Sequence, residues 1–357
     1  MLERAGPALD GWRGKRAVEG AAFSGDGAHL VSVSSKLQGN VWDGQLRLFE
    51  VADEKANVTL KTGCATALMT SLSDVQWVTE AKTVATAADD GNVYVYSIDD
   101  VGGLKEFCLQ RTLADHEDIV TSLAVSRETR VLTSGSYDGS VKRWDVARPE
   151  APIVSLTPED WSGAWKPPIV WDVSDCGGKE THLLASAHQD GRVQLWDARA
   201  QQQPIESFSA PSPRTGACLS LSSSVFETSY LAAGFESGLV GILDLRAGFV
   251  DNGGDTRHGG AVHRVETFVT PENGKTCLVS ASDDGMVLAA LTATDGDSSS
   301  VASASASVPD ERSHGDYARA LAIRPRGDRT NQHVVSGGWD GLLQPYMWVE
   351  SDKVVTI

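Results

Sequence analysis

The chain has 357 residues, of which 41% are hydrophobic, and it is therefore long enough to bury a large core. Its 31 Lys and Arg residues against 48 Asp and Glu give a formal net charge of −17. This acidic balance argues against a nucleic-acid or anionic-membrane surface, because both need clustered basic residues. It favours basic partners, such as arginine-rich tails.

The cysteines and the apolar segments indicate the kind of compartment. The five cysteines are widely spaced and form no C-x-x-C pair, so neither a disulfide framework nor a thiolate zinc site is predicted. No apolar stretch reaches the roughly 18 residues of a membrane span, and the start of the chain has no apolar signal core. We therefore expect a soluble intracellular protein in a reducing compartment, with no metal or cofactor.

A short polar turn that ends in glycine, followed by an alternating apolar strand, occurs seven times. The turns are Trp42-Asp43-Gly44, Asp89-Asp90-Gly91, Tyr137-Asp138-Gly139, Gln189-Asp190-Gly191, Glu236-Ser237-Gly238, Asp283-Asp284-Gly285 and Trp339-Asp340-Gly341. By subtraction, the glycines are 47, 48, 52, 47, 47 and 56 residues apart. A run of small and β-branched residues precedes each turn, a pattern typical of a β-hairpin with one face in the core.

A packing residue and a histidine accompany the turns. Five residues after each glycine lie Phe49, Tyr96, Trp144, Trp196, Leu243, Ala290 and Tyr346. Trp144-Asp145 and Trp196-Asp197 are WD dipeptides, and three histidines precede turn aspartates by 22 to 26 residues. These features resemble the WD-repeat family over nearly the whole chain. The resemblance implies an all-β fold, a seven-bladed WD-repeat β-propeller, because each blade needs neighbours to bury its faces.

We predict one propeller domain over residues 1–357. Its blades are expected at about 17–53, 63–100, 113–148, 155–200, 207–247, 256–293 and 311–349, with a mobile Ser-rich loop at 294–310. The fourth repeat contains an insertion whose Trp161, Trp165 and Trp171 are equally compatible with packing and binding. Either residues 17–23 or the tail at 353–357 could supply the strand that closes the ring.

The repeated His, Ser, Asp and Trp residues could be mistaken for a serine-hydrolase site. The family pattern implies instead that they form buried hydrogen-bond networks within the blades, and a catalytic triad would occur only once. The predicted network residues are His116, Asp138, Trp144, Asp190, Trp196, His258, Asp284, His314 and Asp340. We predict no catalytic residue, no metal ligands and no nucleotide loop.

Trp42 is the candidate binding residue. The first repeat has several more residues between its inner strands than the other repeats, and a tryptophan in such a polar turn has little core to enter. Tryptophan is favoured as an interface anchor because it buries a large apolar area at low conformational cost. Val41 and Asp43 are its predicted companions. The alternative is that Trp42 folds back onto its own blade.

Several segments, in the same order, resemble the methylosome family of WD-repeat proteins, which are partners of a type II protein arginine methyltransferase. They include VSVSSKLQGNVWDGQLRLFEV, VQWVTEAKTVATAADDGNVYVYSIDD and SHGDYARALAIRP. The resemblance implies a non-catalytic adaptor and activating subunit of the cytoplasm and nucleus, whose first-blade tryptophan, here Trp42, docks into the methyltransferase. It also implies help in presenting basic substrates such as histone and Sm-protein tails, without direct nucleic-acid or membrane binding.

Two other functions remain open at this point. A W-D-x-R element at Trp196–Arg199, half matched at Leu243–Arg246, is similar to that of cullin-4 ubiquitin ligase receptors. A propeller esterase resembling diphthine methylesterase is the enzymatic alternative. The sequence has no Ser-His-Asp set outside the repeated networks, which argues against the esterase.

Overall fold

The regular structure of the chain consists of β-strands. The structure is a computed structural model. It describes residues 2–4, 9–10, 16–54, 57–79, 81–126, 129, 131–148, 151–158, 166–176, 182–199, 203–210, 212–223, 230–250, 258–270, 276–291, 313–325 and 332–348. All the regular secondary structure assigned in these ranges is β-strand. Alternating apolar residues and frequent glycine turns favour strands over helices throughout.

The strands form seven antiparallel sheets. The chain begins with two short strands of the last sheet, β1 (Leu2–Arg4) and β2 (Leu9–Asp10). The first sheet has β3 (Ala17–Phe23), β4 (His29–Gln38), β5 (Val41–Glu54) and β6 (Asn57–Leu68). The second has β7 (Leu72–Trp77), β8 (Thr83–Ala88), β9 (Asn92–Val101) and β10 (Leu104–Ala114). The third has β11 (Val120–Val125), β12 (Val131–Ser136), β13 (Val141–Asp145) and β14 (Val154–Leu156).

The remaining sheets follow in chain order. The fourth has β15 (Val170–Asp175), β16 (Leu183–His188), β17 (Val193–Asp197) and β18 (Glu206–Phe208). The fifth has β19 (Cys218–Ser223), β20 (Tyr230–Phe235), β21 (Val240–Asp244) and β22 (Gly248–Phe249). The sixth has β23 (Val262–Val269), β24 (Thr276–Ser282) and β25 (Val287–Leu291) within the described residues. The seventh has β26 (Ala318–Ile323), β27 (Gln332–Gly338) and β28 (Leu342–Trp348), with β1 and β2.

The first strands of the sheets form a closed ring. β3, β7, β11, β15, β19, β23 and β26 each pack against the next, and β26 packs against β3. Each sheet then extends outward from its first strand to its last. The fold is therefore a seven-bladed β-propeller with a central channel, which confirms the fold predicted from the repeats.

The ring is closed from the N-terminus. β1 pairs with Tyr346–Trp348 and β2 with Leu342–Leu343, so both cover the outer edge of β28. Residues 17–23 do not close the ring, since they are the first strand of the first blade, and residues 353–357 lie outside the described part. The closing strands are too short to show an alternating pattern, and for this reason the sequence did not reveal them.

The predicted ends of the first five blades, at 53, 100, 148, 200 and 247, were too early, because the outer strands β6, β10, β14, β18 and β22 lie beyond them. The outer strand β6 runs to Leu68, so the predicted start of the second repeat at residue 63 lies inside this strand. The predicted loop at 294–310 lies outside the described residues. The repeated packing position is buried in every blade, between 0% and 6% exposed at Phe49, Tyr96, Trp144, Trp196, Leu243, Ala290 and Tyr346.

Each blade has a β-bulge near the start of its first strand. The bulge falls on the second residue of that strand, or on the third residue in β3. The residue skipped by the pairing is Glu19, Ser73, Thr121, Trp171, Leu219, His263 or Arg319. Each of these first strands begins at the end of the propeller where the glycine turns lie. We call this end of the propeller the turn face. Because a bulge redirects a side chain, one residue per blade is placed around the channel at the turn face.

Candidate functional site

The first blade carries a hairpin that extends beyond the corresponding turns of the other blades. Pairing of β4 with β5 continues as far as Gln38 and Val41, leaving Gly39 and Asn40 at the tip. Trp42, Asp43 and Gly44 therefore lie in a strand rather than in the predicted turn. In the other six repeats the glycine is in the turn, with φ between 76° and 87° at Gly91, Gly139, Gly191, Gly238, Gly285 and Gly341.

The two faces of this hairpin carry different exposed side chains. Leu37 is directly opposite Trp42 in the register, so both side chains lie on the same face. Val41 precedes Trp42 and lies on the other face. Leu37 and Val41 are each 50% exposed and Trp42 is 48% exposed. The structure therefore places Trp42 half in solvent and adds Leu37, which the sequence analysis missed, beside it.

Asp43 lies at the base of the hairpin. Arg16 donates hydrogen bonds to its carboxylate and, over 3.0 Å, to its main-chain carbonyl. Arg16 also donates to Ser34 Oγ at 3.3 Å, so the guanidinium ties β5 to β4. Asp43 thus holds the hairpin in place through a partly buried ion pair, and the apolar side chains of Leu37, Val41 and Trp42 stay exposed.

A fourth exposed apolar side chain lies beside the hairpin. Leu68, the last residue of β6, pairs with Gly44, and Met69 follows directly with 86% of its surface exposed. We call Leu37, Val41, Trp42 and Met69 the hairpin surface. Four large apolar side chains exposed in one region of one blade are typical of an interaction site.

The third blade contains a Ser-His-Asp arrangement with the connectivity of a catalytic triad. His116 Nδ1 lies 2.8 Å from Asp138 Oδ2, and His116 Nε2 lies 2.8 Å from Ser134 Oγ. Trp144 Nε1 donates to the same serine at 2.9 Å. Burial opposes ionisation of Asp138, but hydrogen bonds from His116 and Ser140 outweigh it and hold the pKa of the carboxyl well below its usual range.

The same arrangement recurs in two other blades. His258 lies 3.1 Å from Asp284 and 2.8 Å from Ser280, and His314 lies 3.1 Å from Asp340 and 2.7 Å from Ser336. The serines are at most 1% exposed, as is Ser134 in the third blade. Because a substrate cannot reach these hydroxyl groups, the repeated triads stabilise the blades.

The fourth blade uses a different histidine. His188, at the end of β16, places Nε2 2.8 Å from Ser186 Oγ, and Trp196 donates to the same oxygen at 2.8 Å. Asp190 was expected in this network, but its carboxylate accepts hydrogen bonds from the Arg192 amide and guanidinium in the turn. The histidine in the strand makes the hydrogen bond to the serine that a loop histidine makes in the third blade, and only its unusual position in LLASAH signals this in the sequence.

Of the three tryptophans in the fourth-blade insertion, the structure describes Trp171. It is the bulge residue of its blade, and its ring packs edge-on against Tyr137 with centroids 5.2 Å apart. Its Nε1 donates to Gln189 Oε1 at 2.6 Å. Trp161 and Trp165 lie outside the described residues.

The arginines of the W-D-x-R elements are bound within their own turns. Arg199 donates to Asp197 from Nε and Nη2, and Arg246 donates to Asp244. These contacts follow the third strands of their blades, at the end of the propeller opposite the turn face.

Two further observations concern metal and membrane binding. Across the described ranges, no three His, Cys, Asp or Glu side chains are grouped so that they could hold a metal ion. The same part of the chain has no helix that is long and apolar enough to cross a membrane.

The chain is similar in sequence to one family model and to several known proteins. The family model "WD domain, G-beta repeat" matches residues 107–145, which comprise most of β10 and the strands β11 to β13. The chain is 34% identical over 178 residues to "Methylosome protein WDR77" of Xenopus laevis, covering 49% of this chain and 48% of that protein. This confirms the resemblance to the methylosome WD-repeat proteins, and the chain is a seven-bladed β-propeller with a WD repeat matched at residues 107–145.

Other relatives share less identity. "U3 small nucleolar RNA-associated protein 4" of Schizosaccharomyces pombe is 26% identical over 176 residues, covering 47% of this chain and 24% of that protein. "Dynein axonemal assembly factor 10" of Chlamydomonas reinhardtii is 26% identical over 193 residues, covering 50% of this chain and 51% of that protein. The chain thus spans about half or less of the length of these curated relatives.

Proposed function

We propose that this chain is a non-catalytic adaptor and activating subunit of a type II protein arginine methyltransferase complex, the methylosome. The observation that carries the proposal is the hairpin surface, in which Trp42 is 48% exposed with Leu37 opposite it on the same face. The 34% identity to the Xenopus methylosome protein supports this assignment over other uses of the same fold.

In this proposal the hairpin surface is the docking site for the methyltransferase. The paired β4 and β5 strands and the Arg16–Asp43 ion pair fix the direction of the hairpin, so Trp42 is held ready to insert into a partner. A pre-ordered anchor loses little conformational entropy on binding. Burial of Trp42 and Leu37 would supply much of the affinity, as expected for an interface centre.

The acidic charge supports a second role in holding basic substrates. A net charge of −17 attracts arginine- and lysine-rich segments such as histone and Sm-protein tails. The methyl transfer belongs to the partner, and the triads of this chain are buried. We place the protein in the cytoplasm and nucleus, where such substrates are found.

The test is affinity purification of the tagged protein from its own cells, followed by mass spectrometry, with wild type, Trp42→Ala and Ile153→Ala. Ile153 is a matched control because it is 57% exposed in a different blade. We expect an arginine methyltransferase with wild type and Ile153→Ala and its loss with Trp42→Ala. Recovery of a cullin-4 adaptor instead, or of no methyltransferase, would contradict the proposal.

A quantitative version uses the purified methyltransferase and this chain. Trp42→Ala is expected to weaken binding by at least about 2 kcal/mol while leaving the unfolding midpoint nearly unchanged. Leu37→Ser should also weaken binding, whereas Ile153→Ala should not. If Trp42→Ala unfolds the protein, Trp42 is a core residue and the docking site lies elsewhere.

A further inference from the structure

Two aromatic pairs lie at the turn face, on opposite sides of the channel. Tyr317 and Trp339 of the seventh blade have ring centroids 5.2 Å apart, as do Tyr137 of the third blade and Trp171 of the fourth. In each pair one residue belongs to a glycine turn, either Trp339 or Tyr137. Each pair thus combines one tyrosine and one tryptophan, but the seventh-blade pair lies within one blade, whereas Tyr137 and Trp171 belong to adjacent blades.

The seventh-blade pair already binds a guanidinium group, that of Arg319. Its Cζ lies 5.0 Å from the Trp339 ring centre and 5.5 Å from that of Tyr317. Its Nε lies 3.0 Å from Asp283 Oδ1, and Nη1 lies 3.0 Å from His263 Nδ1. Aromatic faces plus a carboxylate thus form a complete arginine site here, filled by the chain's own side chain.

The pair formed by Tyr137 and Trp171 has the same kind of residues but no arginine or lysine stacked on it within the described ranges. Asp89 is exposed, and both Asp89 and Asp118 lie within electrostatic range of the Tyr137 hydroxyl, where the opposing charge of Arg319 is also felt. The nearby Lys166 is directed to Asp118, with Nζ 4.0 Å from the carboxylate. The structure records no ion pair for Asp89 with any described residue.

A second carboxylate adds to the negative charge at the turn face. Glu19, the bulge residue of the first blade, is half-buried and lies within electrostatic range of Asp89. Burial raises the pKa of Glu19, a hydrogen bond from Trp339 and the charge of Arg319 oppose this rise, and Asp89 adds to it. Partial desolvation also raises the pKa of Asp89, although its side chain is exposed, and a hydrogen bond with Ser71 opposes the rise. Both shifts indicate carboxylates that would be stabilised by an added cation.

We propose that Trp171, Tyr137 and Asp89 form a docking surface for an arginine side chain of a basic peptide. The choice of a basic peptide rests on the proposed function, while the residues that bind it are inferred from the filled arginine site across the channel. The guanidinium plane stacks on the exposed side of the aromatic pair, and its N–H groups donate to Asp89.

The location fits the role of the adaptor. Both this surface and the first-blade hairpin lie at the turn face. Asp89 and Tyr137 belong to turns between a second and a third strand, Trp171 lies at the start of a first strand, and the hairpin joins β4 to β5. A peptide held at the channel would therefore lie on the same side of the propeller as the methyltransferase docked on the hairpin surface. The two sites use no common residue, so they can be tested separately.

The test uses the isolated full chain and a fluorescein-labelled peptide of alternating glycine and arginine, with fluorescence anisotropy in low-salt buffer. A matched peptide carries citrulline, which keeps the shape and removes the charge. The variants are Trp171→Ala and Asp89→Asn. Glu117→Gln is the charge-matched control, because Glu117 is an exposed acid at the same end of the third blade.

We expect Trp171→Ala and Asp89→Asn each to weaken peptide binding by at least about tenfold, as for anchors of a small site. Glu117→Gln should change it less than twofold, and the citrulline peptide should not bind. Equal losses in Asp89→Asn and Glu117→Gln would overturn the proposal, because binding would then follow net charge alone. Failure of wild type to bind the arginine peptide would also overturn it.

Trp42→Ala separates this proposal from the docking of the methyltransferase. It should keep full peptide binding while losing the methyltransferase. If wild type binds the peptide through Trp171 and Asp89 but no methyltransferase, the proposed function fails and the arginine site stands. Since Asp89 is exposed, Asp89→Asn should keep the fold even if Trp171→Ala does not.

Discussion

Arg264 of the sixth blade reaches across the central channel to Asp74 of the second blade, where its Nη2 lies 2.6 Å from Oδ1. Its Nη1 lies 3.8 Å from Asp172 of the fourth blade. Asp74 also accepts from the Leu123 amide and Asp172 from the Leu221 amide, so each carboxylate links its own blade to the next. One guanidinium thus connects three blades that are distant in sequence.

We predict that Arg264→Gln destabilises the protein by about 3 kcal/mol or more, because two buried carboxylates lose their counter-charge. The measurement is urea unfolding at neutral pH. Arg246→Gln is the control, since Arg246 pairs with Asp244 at the surface, and it should leave the midpoint unchanged. A triple variant with Asp74→Asn, Asp172→Asn and Arg264→Met should recover much of the loss. An Arg264→Gln midpoint equal to wild type would refute the role of this connection.

Asp172 should make the stability depend on pH. Burial raises its pKa to about 6, against the opposing charge of Arg264. The folded state therefore binds this proton more tightly than the unfolded state. The resulting stabilisation is complete below the ordinary pKa of Asp and is lost as the pH rises through about 6.

This contribution is measured as the difference between wild type and Asp172→Asn. Between pH 8 and pH 4.5, wild type should gain about 2–3 kcal/mol of unfolding free energy relative to the variant. The pH dependence of wild type alone does not isolate Asp172. Burial lowers the pKa of His188 to about 4, and this makes the unfolding free energy rise with pH, opposite to the effect of Asp172. A difference that stays constant with pH would exclude a raised pKa at Asp172.

The buried serines of the blade networks should differ in their contribution to stability. The Ser134 hydroxyl is hydrogen-bonded to both His116 and Trp144, whereas the Ser280 hydroxyl is hydrogen-bonded to His258. Removing a hydroxyl leaves each buried partner without its hydrogen bond, at about 1–3 kcal/mol per group. We expect Ser134→Ala to cost about twice as much as Ser280→Ala in chemical unfolding. Equal costs would show that Trp144 gains little from its bond.

The repeats in the sequence predicted the architecture, and the reason is physical. Each blade needs the same turn, the same packing residue and neighbours on both sides, so the fold leaves a period of similar length in the sequence. Trp144 and Trp196 were predicted as buried, and they are at most 1% exposed. Six turn glycines have the positive φ that keeps glycine in these positions.

The features that the sequence missed depend on contacts between distant segments. The Arg264–Asp74 pair joins residues 190 positions apart, and no local pattern records such a contact. Leu37 was missed because its pairing with Trp42 depends on how far the hairpin continues. Asp190 was misassigned because its position in the repeat matches that of network aspartates, while His188 and Arg192 change its surroundings.

The last prediction concerns β1, the strand that closes the ring, and how much its side chains contribute to stability. Leu2 of β1 is 6% exposed and belongs to the core cluster that includes Phe268 and Trp348, so the N-terminus joins the sixth and seventh blades. Leu2→Ala should cost about 2 kcal/mol, since it removes buried methyl groups at an edge that can partly relax. Arg4→Ala, on the same strand but exposed, should cost much less. Thermal unfolding checks both variants, and equal effects would mean that β1 closes the ring through its backbone pairing alone.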